Sequence, residues 1–151
     1  MITVLQRVLE SSVTVDGEMV ASSGKGLLLL AGVEKGDDEQ DVILSAEKIL
    51  KMRIFEDENE KMNYSVTDIG GQVVIVSNFT LLAAYKKGNR PDFTASALPA
   101  EAKRLYEFFC KYMSERIHTE CGIFGADMKV TIVNDGPVTI CMDSRVLKRE
   151  R

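Results

Sequence analysis

Apolar and polar positions alternate from the start of the chain. Thr3–Val8 and Ser12–Val20 read as strands, rich in β-branched residues at a period of two. Inside the second, Val13 and Val15 alternate with Thr14 and Asp16, and Asp16-Gly17 is a tight-turn signal. Ser12–Val20 is therefore either one strand or a small hairpin. Leu27–Val33 is an unbroken apolar run preceded by Gly24 and Gly26, as expected of a strand buried on both faces. Gly32 within it predicts a bulge or the close approach of another backbone. The period then changes. Val42, Ile43, Ala46, Ile49 and Leu50 recur at helical spacing, opposite Asp41, Glu47, Lys48 and Lys51. Asp37 is the expected cap of this helix and Gln40 its return partner.

Arg53-Ile54-Phe55 is extended again, Glu56–Lys61 is a polar hairpin loop, and Met62, Tyr64 and Val66 form a short edge segment. Asp68–Gly71 is a further turn. Val73, Val74, Ile75 and Val76 then form an inner strand that delivers Ser77, Asn78 and Thr80 among the apolar Phe79, Leu81 and Leu82. Small hydrogen-bonding side chains at the end of a buried strand must find partners. They serve either local backbone bonds or a ligand, since sites favour such strand ends. Ala83–Asp92 is the longest expected loop and the most basic one. A second helix begins near Pro99, with Ala102, Leu105, Tyr106, Phe109, Tyr112, Met113 and Ile117 as a stripe whose spacing is that of core packing. Gly122–Gly125 is a glycine-bounded segment. Met128, Val130 and Ile132 alternate with Lys129 and Thr131 as a half-buried strand, and Val138–Met142 follows the turn chemistry of Asn134-Asp135-Gly136-Pro137. Strands around two helices make an α+β domain, with antiparallel pairing expected from the hairpin signals. Residues 1–143 read as one domain and 144–151 as a charged C-terminal tail that frays.

Composition narrows the chemistry. In 151 residues, 45% hydrophobic and 28% charged, one domain can bury a real core without staples. The net charge of −4 argues against a general nucleic-acid coat but leaves room for a local basic patch. Candidates for that patch are Arg7, Arg53, the Lys86–Lys87–Arg90 cluster, and Arg145, Lys148, Arg149 and Arg151. The three cysteines, Cys110, Cys121 and Cys141, show no CxxC spacing, so a disulfide scaffold is not expected and neither is a metal. His118 is the single histidine and is expected beside the carbonyl end of a helix, which leaves a serine–histidine–acid arrangement without a credible base. No phosphate-binding glycine loop occurs. The apolar runs are too short to span a bilayer and the N-terminus lacks the pattern of a secretory signal, so a cytoplasmic location without membrane contact is expected.

Asn134–Pro137 has two readings. One is a plain hairpin turn. The other is a rigid Gly136-Pro137 unit whose two carbonyl oxygens face outward as acceptors able to hold a substrate ammonium and to discriminate by shape.

Taken together, MITVLQRV, SSVTVDGE, GLLLLAGVEKGDDE, KMRIFEDENEKMN, SNFTLLA, GNRPDF, FGADMKV and NDGPVT make the chain resemble the D-aminoacyl-tRNA deacylases over nearly its full length. The two signature stretches are Ser77–Leu81, read as SQFTL in that family, and Asn134–Thr139, read as NxGPxT. Two positions depart: Asn78 stands where the family pattern has Gln, and Asp92 where a small residue is frequent. The shorter amide at 78 predicts altered pocket packing or substrate range before loss of activity.

The resemblance implies a compact α+β homodimer with a barrel-like core and two packed helices. It implies a hydrolase that cleaves the ester of D-aminoacyl-tRNA without a cofactor, accepting glycyl-tRNA mischarged on alanine tRNA as well. Ser77, Phe79 and Thr80 match the family's catalytic motif, with backbone N–H groups near Phe79 and Thr80 aimed at the scissile carbonyl. Asn78, Met128, Asn134, Gly136 and Pro137 are the implied substrate-binding residues, the Gly136-Pro137 unit in cis and reaching into the partner subunit's pocket. The partner is the 3′ end of aminoacyl-tRNA. Two other accounts stand beside this one: an esterase using Thr80 as nucleophile, and a non-catalytic dimeric tRNA-binding protein of the same fold.

Overall fold

In a computed structural model describing residues 1–148, the alternation at the N-terminus becomes a single long strand, β1 (Ile2–Val15), rather than two. Asp16 and Gly17, both with positive φ, turn it into β2 (Glu18–Ser23), which pairs antiparallel with its second half. Ser12–Val20 is therefore the tip of a hairpin, as one of its two readings had it, and the pairing extends back to Ser11 opposite Ser23. β3 (Gly26–Gly32) pairs antiparallel with the first half of β1, Leu5 opposite Leu29. α1 (Glu39–Lys51) and the small hairpin of β4 (Phe55–Glu56) and β5 (Met62–Tyr64) then carry the chain to β6 (Gln72–Ser77). β6 lies parallel to β3, and β7 (Thr119–Cys121) lies parallel to β6 after α2 (Pro99–Ser114). The sheet is thus mixed, not wholly antiparallel. The turn signals announce only the hairpins, whereas a helix inserted between two neighbouring strands returns the chain in the same direction.

The sheet runs β2-β1-β3-β6-β7, and its far edges approach each other: the Ser22 N–H on β2 donates to Glu120 Oε1 on β7 at 3.1 Å. The result is an α+β fold with a nearly closed β-barrel core and helices. Leu28, Val74 and Val76 point into the barrel with Val8, Val13 and Ala21. Leu27, Leu29, Val73 and Ile75 point the other way and pack under the helices with Ile49, Leu105 and Phe109. This two-faced burial is why the central strands are unbroken apolar runs.

β8 (Lys129–Asp143) lies antiparallel along almost the whole of β1. Asn134–Pro137 does not reverse the chain, so it is not a hairpin turn. The register steps from Val8↔Asn134 to Gln6↔Thr139, and Asp135-Gly136-Pro137-Val138 is an excursion opposite Arg7, after which the same strand resumes.

The cap of α1 is Asp38, one residue later than expected, and Asp41 closes the capping box. Asp37 instead accepts from the Met1 ammonium at 2.9 Å and from the Glu34 N–H at 2.7 Å. Residues Ser144–Lys148 form α3 and do not fray. Ser144 is buried, its hydroxyl donates to Asp41 Oδ1 at 2.7 Å, and Lys148 pairs with Asp41 Oδ2 at 2.8 Å. Residues 144–148 are ordered because Ser144 and Lys148 have a buried partner, Asp41, far away in sequence, which periodicity cannot reveal. Arg149 and Arg151 lie outside the described residues.

Burial works against the Asp41 carboxylate, yet hydrogen bonds from Lys148, the Asp38 N–H and Ser144, with the Met1 ammonium nearby, hold its carboxyl well below the usual carboxylate range. A depressed carboxyl stabilises the fold above its unfolded pKa, and that stability is lost as pH falls toward the folded value. Asp41→Asn should cost about 2–3 kcal/mol at pH 7 and show a shallower further loss below about pH 4 than the parent. Urea unfolding across that pH range measures both, and parallel curves would remove Asp41 as the cause.

Candidate active site

The strand end that carries Ser77 opens onto a surface cleft of about 770 Å³. The Asn78 N–H donates to Ala31 O at 2.8 Å, after which Phe79–Leu82 make one 3₁₀ turn. Gly32 is where this turn comes close: a Cβ there would lie 3.0 Å from Asn78 O and 3.3 Å from Leu82 Cγ. The close approach expected from Gly32 in an apolar run is therefore the contact of β3 with the turn that carries Phe79 and Thr80.

The remaining walls come from Phe93 and Ala97 ahead of α2, Tyr106 on α2, and Phe124 and Met128 before β8. Phe93 meets Phe79 edge-on at 5.1 Å between ring centroids, and Phe124 lies 5.9 Å from Tyr106. Tyr106 is 4% exposed, and its hydroxyl faces Ile75 O at 3.0 Å and Gly122 O at 2.7 Å, tying the end of β6 to the segment after β7. Its place in the helical stripe reads as core, and so it is, but it also lines the cleft. The readable signal was a tyrosine in that stripe, whose hydroxyl must find a partner when buried.

Two side chains lining the cleft are ionisable, Tyr106 and Asp127. Burial, with the Cys110 and Cys121 thiols beside it, pushes the Tyr106 phenol above its ordinary value. Asp127 is exposed and paired with Lys129 at 3.1 Å. His118 is 58% exposed and does not line the cleft; its partner is Glu120 at 3.1 Å, not the carbonyl end of a helix. The Thr80 hydroxyl donates to Asn78 Oδ1, an amide oxygen with no capacity to take its proton. Asn78, the shorter residue at the departing position, thus reaches Thr80. Among the described residues, the Phe79 and Thr80 backbone N–H groups have no protein acceptor, as befits the first turn of a helix.

Five of the residues singled out in the sequence converge here: Ser77, Asn78, Phe79, Thr80 and Met128. Asn134, Gly136 and Pro137 do not line this chain's cleft. They belong to the β8 excursion, where the Gly136-Pro137 bond is cis and both residues are exposed. The Asn134 amide spans the excursion, donating to Arg7 O at 3.0 Å and to Val138 O at 3.1 Å while accepting from the Thr139 hydroxyl at 3.2 Å. Arg7 is not a surface cation. It is 6% exposed and donates to Asp135 O at 3.2 Å and to Ile54 O at 2.9 Å. Asp92, the other departing residue, bonds the Thr94 N–H at 2.7 Å.

A D-aminoacyl-tRNA deacylase from Sulfurihydrogenibium sp. (strain YO3AOP1) is 52% identical over 97% of this chain and 100% of its own length. Among solved structures, the c-Myc DNA Unwinding Element Binding Protein is 38% identical with a TM-score of 0.90, over 95% of this chain and 98% of that one. A probable eukaryotic D-amino acid tRNA deacylase shares the fold at 15% identity, with a TM-score of 0.77 over 93% of this chain and 97% of its own. The family described as D-Tyr-tRNA(Tyr) deacylase matches residues 4–143, and with that span and these relatives the chain belongs to it.

Proposed function

We propose that the cleft seats the aminoacylated 3′-terminal adenosine of tRNA and that the chain hydrolyses the ester of a D-amino acid there. The observation that carries the mechanism is the pairing of two free N–H groups, at Phe79 and Thr80, with a cleft lined by one carboxylate, the exposed Asp127, which is already paired with Lys129. Donors fixed in the backbone suit an oxyanion that forms only as the ester carbonyl is attacked, because they need no reorganisation at that moment. Water is the attacking group, and the neighbouring ribose hydroxyl of the substrate orients it. Thr80 is not the nucleophile in this reading: its hydroxyl donates a hydrogen bond to the Asn78 amide oxygen, which is no base, and a threonine without a base is a weak nucleophile at neutral pH. Ser77 and Met128 shape the pocket around the aminoacyl group.

The exposed Gly136-Pro137 excursion is the natural candidate for a chiral clamp, and because it does not line its own cleft, the clamp would come from a second copy in a homodimer. Its carbonyl oxygens would hold the substrate ammonium and leave no room for a Cβ of L configuration. Such a clamp cannot reject a missing Cβ, so glycyl-tRNA, including glycine mischarged on alanine tRNA, is accepted too.

The test is hydrolysis of matched D- and L-tyrosyl-tRNA by the parent and by Thr80→Ala. D-only release that falls less than about tenfold in the variant is expected for backbone and RNA catalysis. Loss of about ten-thousandfold, with folding intact, would move the chemistry onto Thr80. No release from either ester by the parent would leave a tRNA-binding protein without turnover.

A further inference from the structure

The rim of the cleft continues into a hairpin that the hydrolytic chemistry does not use. The chain leaves the 3₁₀ turn with the Ala83 N–H on Thr80 O at 3.2 Å, and Ala84 and Asp92 then bond each other in both directions, at 2.7 and 2.8 Å. Phe93, the next residue, packs on Phe79. The base of the hairpin is thereby fixed to the turn that carries the two free N–H groups.

Beyond that base, every residue from Tyr85 to Pro91 is exposed, Tyr85 by 82%. The segment holds Lys86, Lys87 and Arg90 and no carboxylate. Asp92, at its base, turns one carboxylate oxygen to the Thr94 N–H. Among the described residues none of the three cations has an ion-pair partner, whereas Arg104, Arg116, Arg145 and Lys148 all do. A scattered surface lysine needs no explanation. Three unneutralised cations on one projecting loop, beside an unpacked aromatic ring, are different on a chain whose net charge is −4. Cations that track a backbone and a ring that accepts any base are the two ingredients of sequence-tolerant binding to single-stranded nucleic acid. Four residues from base to tip reach at most about 13 Å past the rim, enough to span a few phosphates.

We propose that the 84–92 hairpin holds the phosphates of the RNA strand that leads into the cleft, gripping tRNA by charge and stacking without reading its sequence. The proposal rests on the cleft being the seat of the terminal adenosine. It assigns to this loop the affinity for the RNA body and leaves the bond-breaking step untouched.

The experiment compares the parent with K86A/K87A/R90A on D-tyrosyl-tRNA and on D-tyrosyl-adenosine, the amino acid esterified to the nucleoside alone. On the full substrate KM should rise about tenfold or more with kcat retained, and the dependence of log KM on log salt should become shallower by about 2. The nucleoside ester should be hydrolysed equally by both proteins. Unchanged KM on the full substrate would overturn the proposal, and so would equal losses on both substrates, which would make the loop a wall of the cleft. Fluorescence anisotropy with uncharged tRNA separates the two readings. Salt-sensitive binding weakened in the variant, from a parent that hydrolyses neither ester, would sink the hydrolytic reading and sustain the hairpin. Identical binding by parent and variant would sink the hairpin alone.

Discussion

Gly136→Ala is expected to lower D-tyrosyl-tRNA hydrolysis about a hundredfold or more, and to bring the rates on D and L esters toward each other, while the protein stays folded. Gly136 has φ of +124°, a backbone conformation that side-chain-bearing residues rarely adopt. A Cβ there would also lie 2.9 Å from Val138 Cγ2 and 3.1 Å from both Arg7 Nη2 and the Val138 nitrogen. Arg7 is buried in β1 and Val138 packs against the core, whereas Gly136 and Pro137 are exposed, so it is these two residues that give way. Strain of this kind costs about 1–3 kcal/mol, and a shift of about 1 Å in a group that positions substrate costs about a hundredfold in rate. Single-turnover hydrolysis of the two esters, alongside a thermal melt, measures the effect. Full activity with the D over L preference intact would remove the excursion from the proposed clamp.

Arg7→Ala is expected to destabilise the protein by about 3–5 kcal/mol, the largest loss from any single side chain considered, and to abolish activity through the same excursion. The guanidinium ties β1 to two segments far from it in sequence: it donates to Ile54 O at 2.9 Å and lies 3.8 Å from Glu56 Oε1 in one, and donates to Asp135 O at 3.2 Å in the other. Its Nε is also 3.4 Å from Asp135 Oδ2. Truncation would leave the Ile54 and Asp135 carbonyls unpaired and open a void beneath Gly136. Arg7→Lys keeps the charge but not the planar fork, so it should recover roughly half the stability and less of the activity. Urea unfolding of both variants at pH 7 decides the matter. A cost below about 1 kcal/mol for the alanine variant would show that the excursion holds its shape without the guanidinium.

Much of this was readable residue by residue. The unbroken runs at Leu27–Val33 and Val73–Val76 are the two-faced central strands, and both long helices lie where the period of the apolar residues changes. Ser77, Asn78 and Thr80 stood out because polar groups at the end of a buried strand need partners, and they do open onto the cleft. Gly32 announced the close backbone approach beneath them. Arg7 and the tail were misread for one reason: an isolated cation looks like a solvated one until its distant carbonyl or carboxylate partner is known. The parallel pairing of β3, β6 and β7 was hidden similarly, since turn chemistry reports a chain reversal and nothing local reports a crossover.

Local patterning was thus sufficient for the central strands, the two long helices and the two motifs. These depend on spacing within a few residues, where periodicity and turn preference act. The shape of the site came from elsewhere. Whether Asn134–Pro137 turns back or bulges from a continuing strand depends on β1 pairing with both halves of β8, across a separation of more than a hundred residues. That Tyr106 ties β6 to the Phe124 segment, and that Arg7 lies beneath Gly136, are likewise consequences of the barrel closing on itself. Burial and hydrogen-bond satisfaction are properties of the packed whole, so the same arginine or tyrosine takes its role from whatever the fold brings against it.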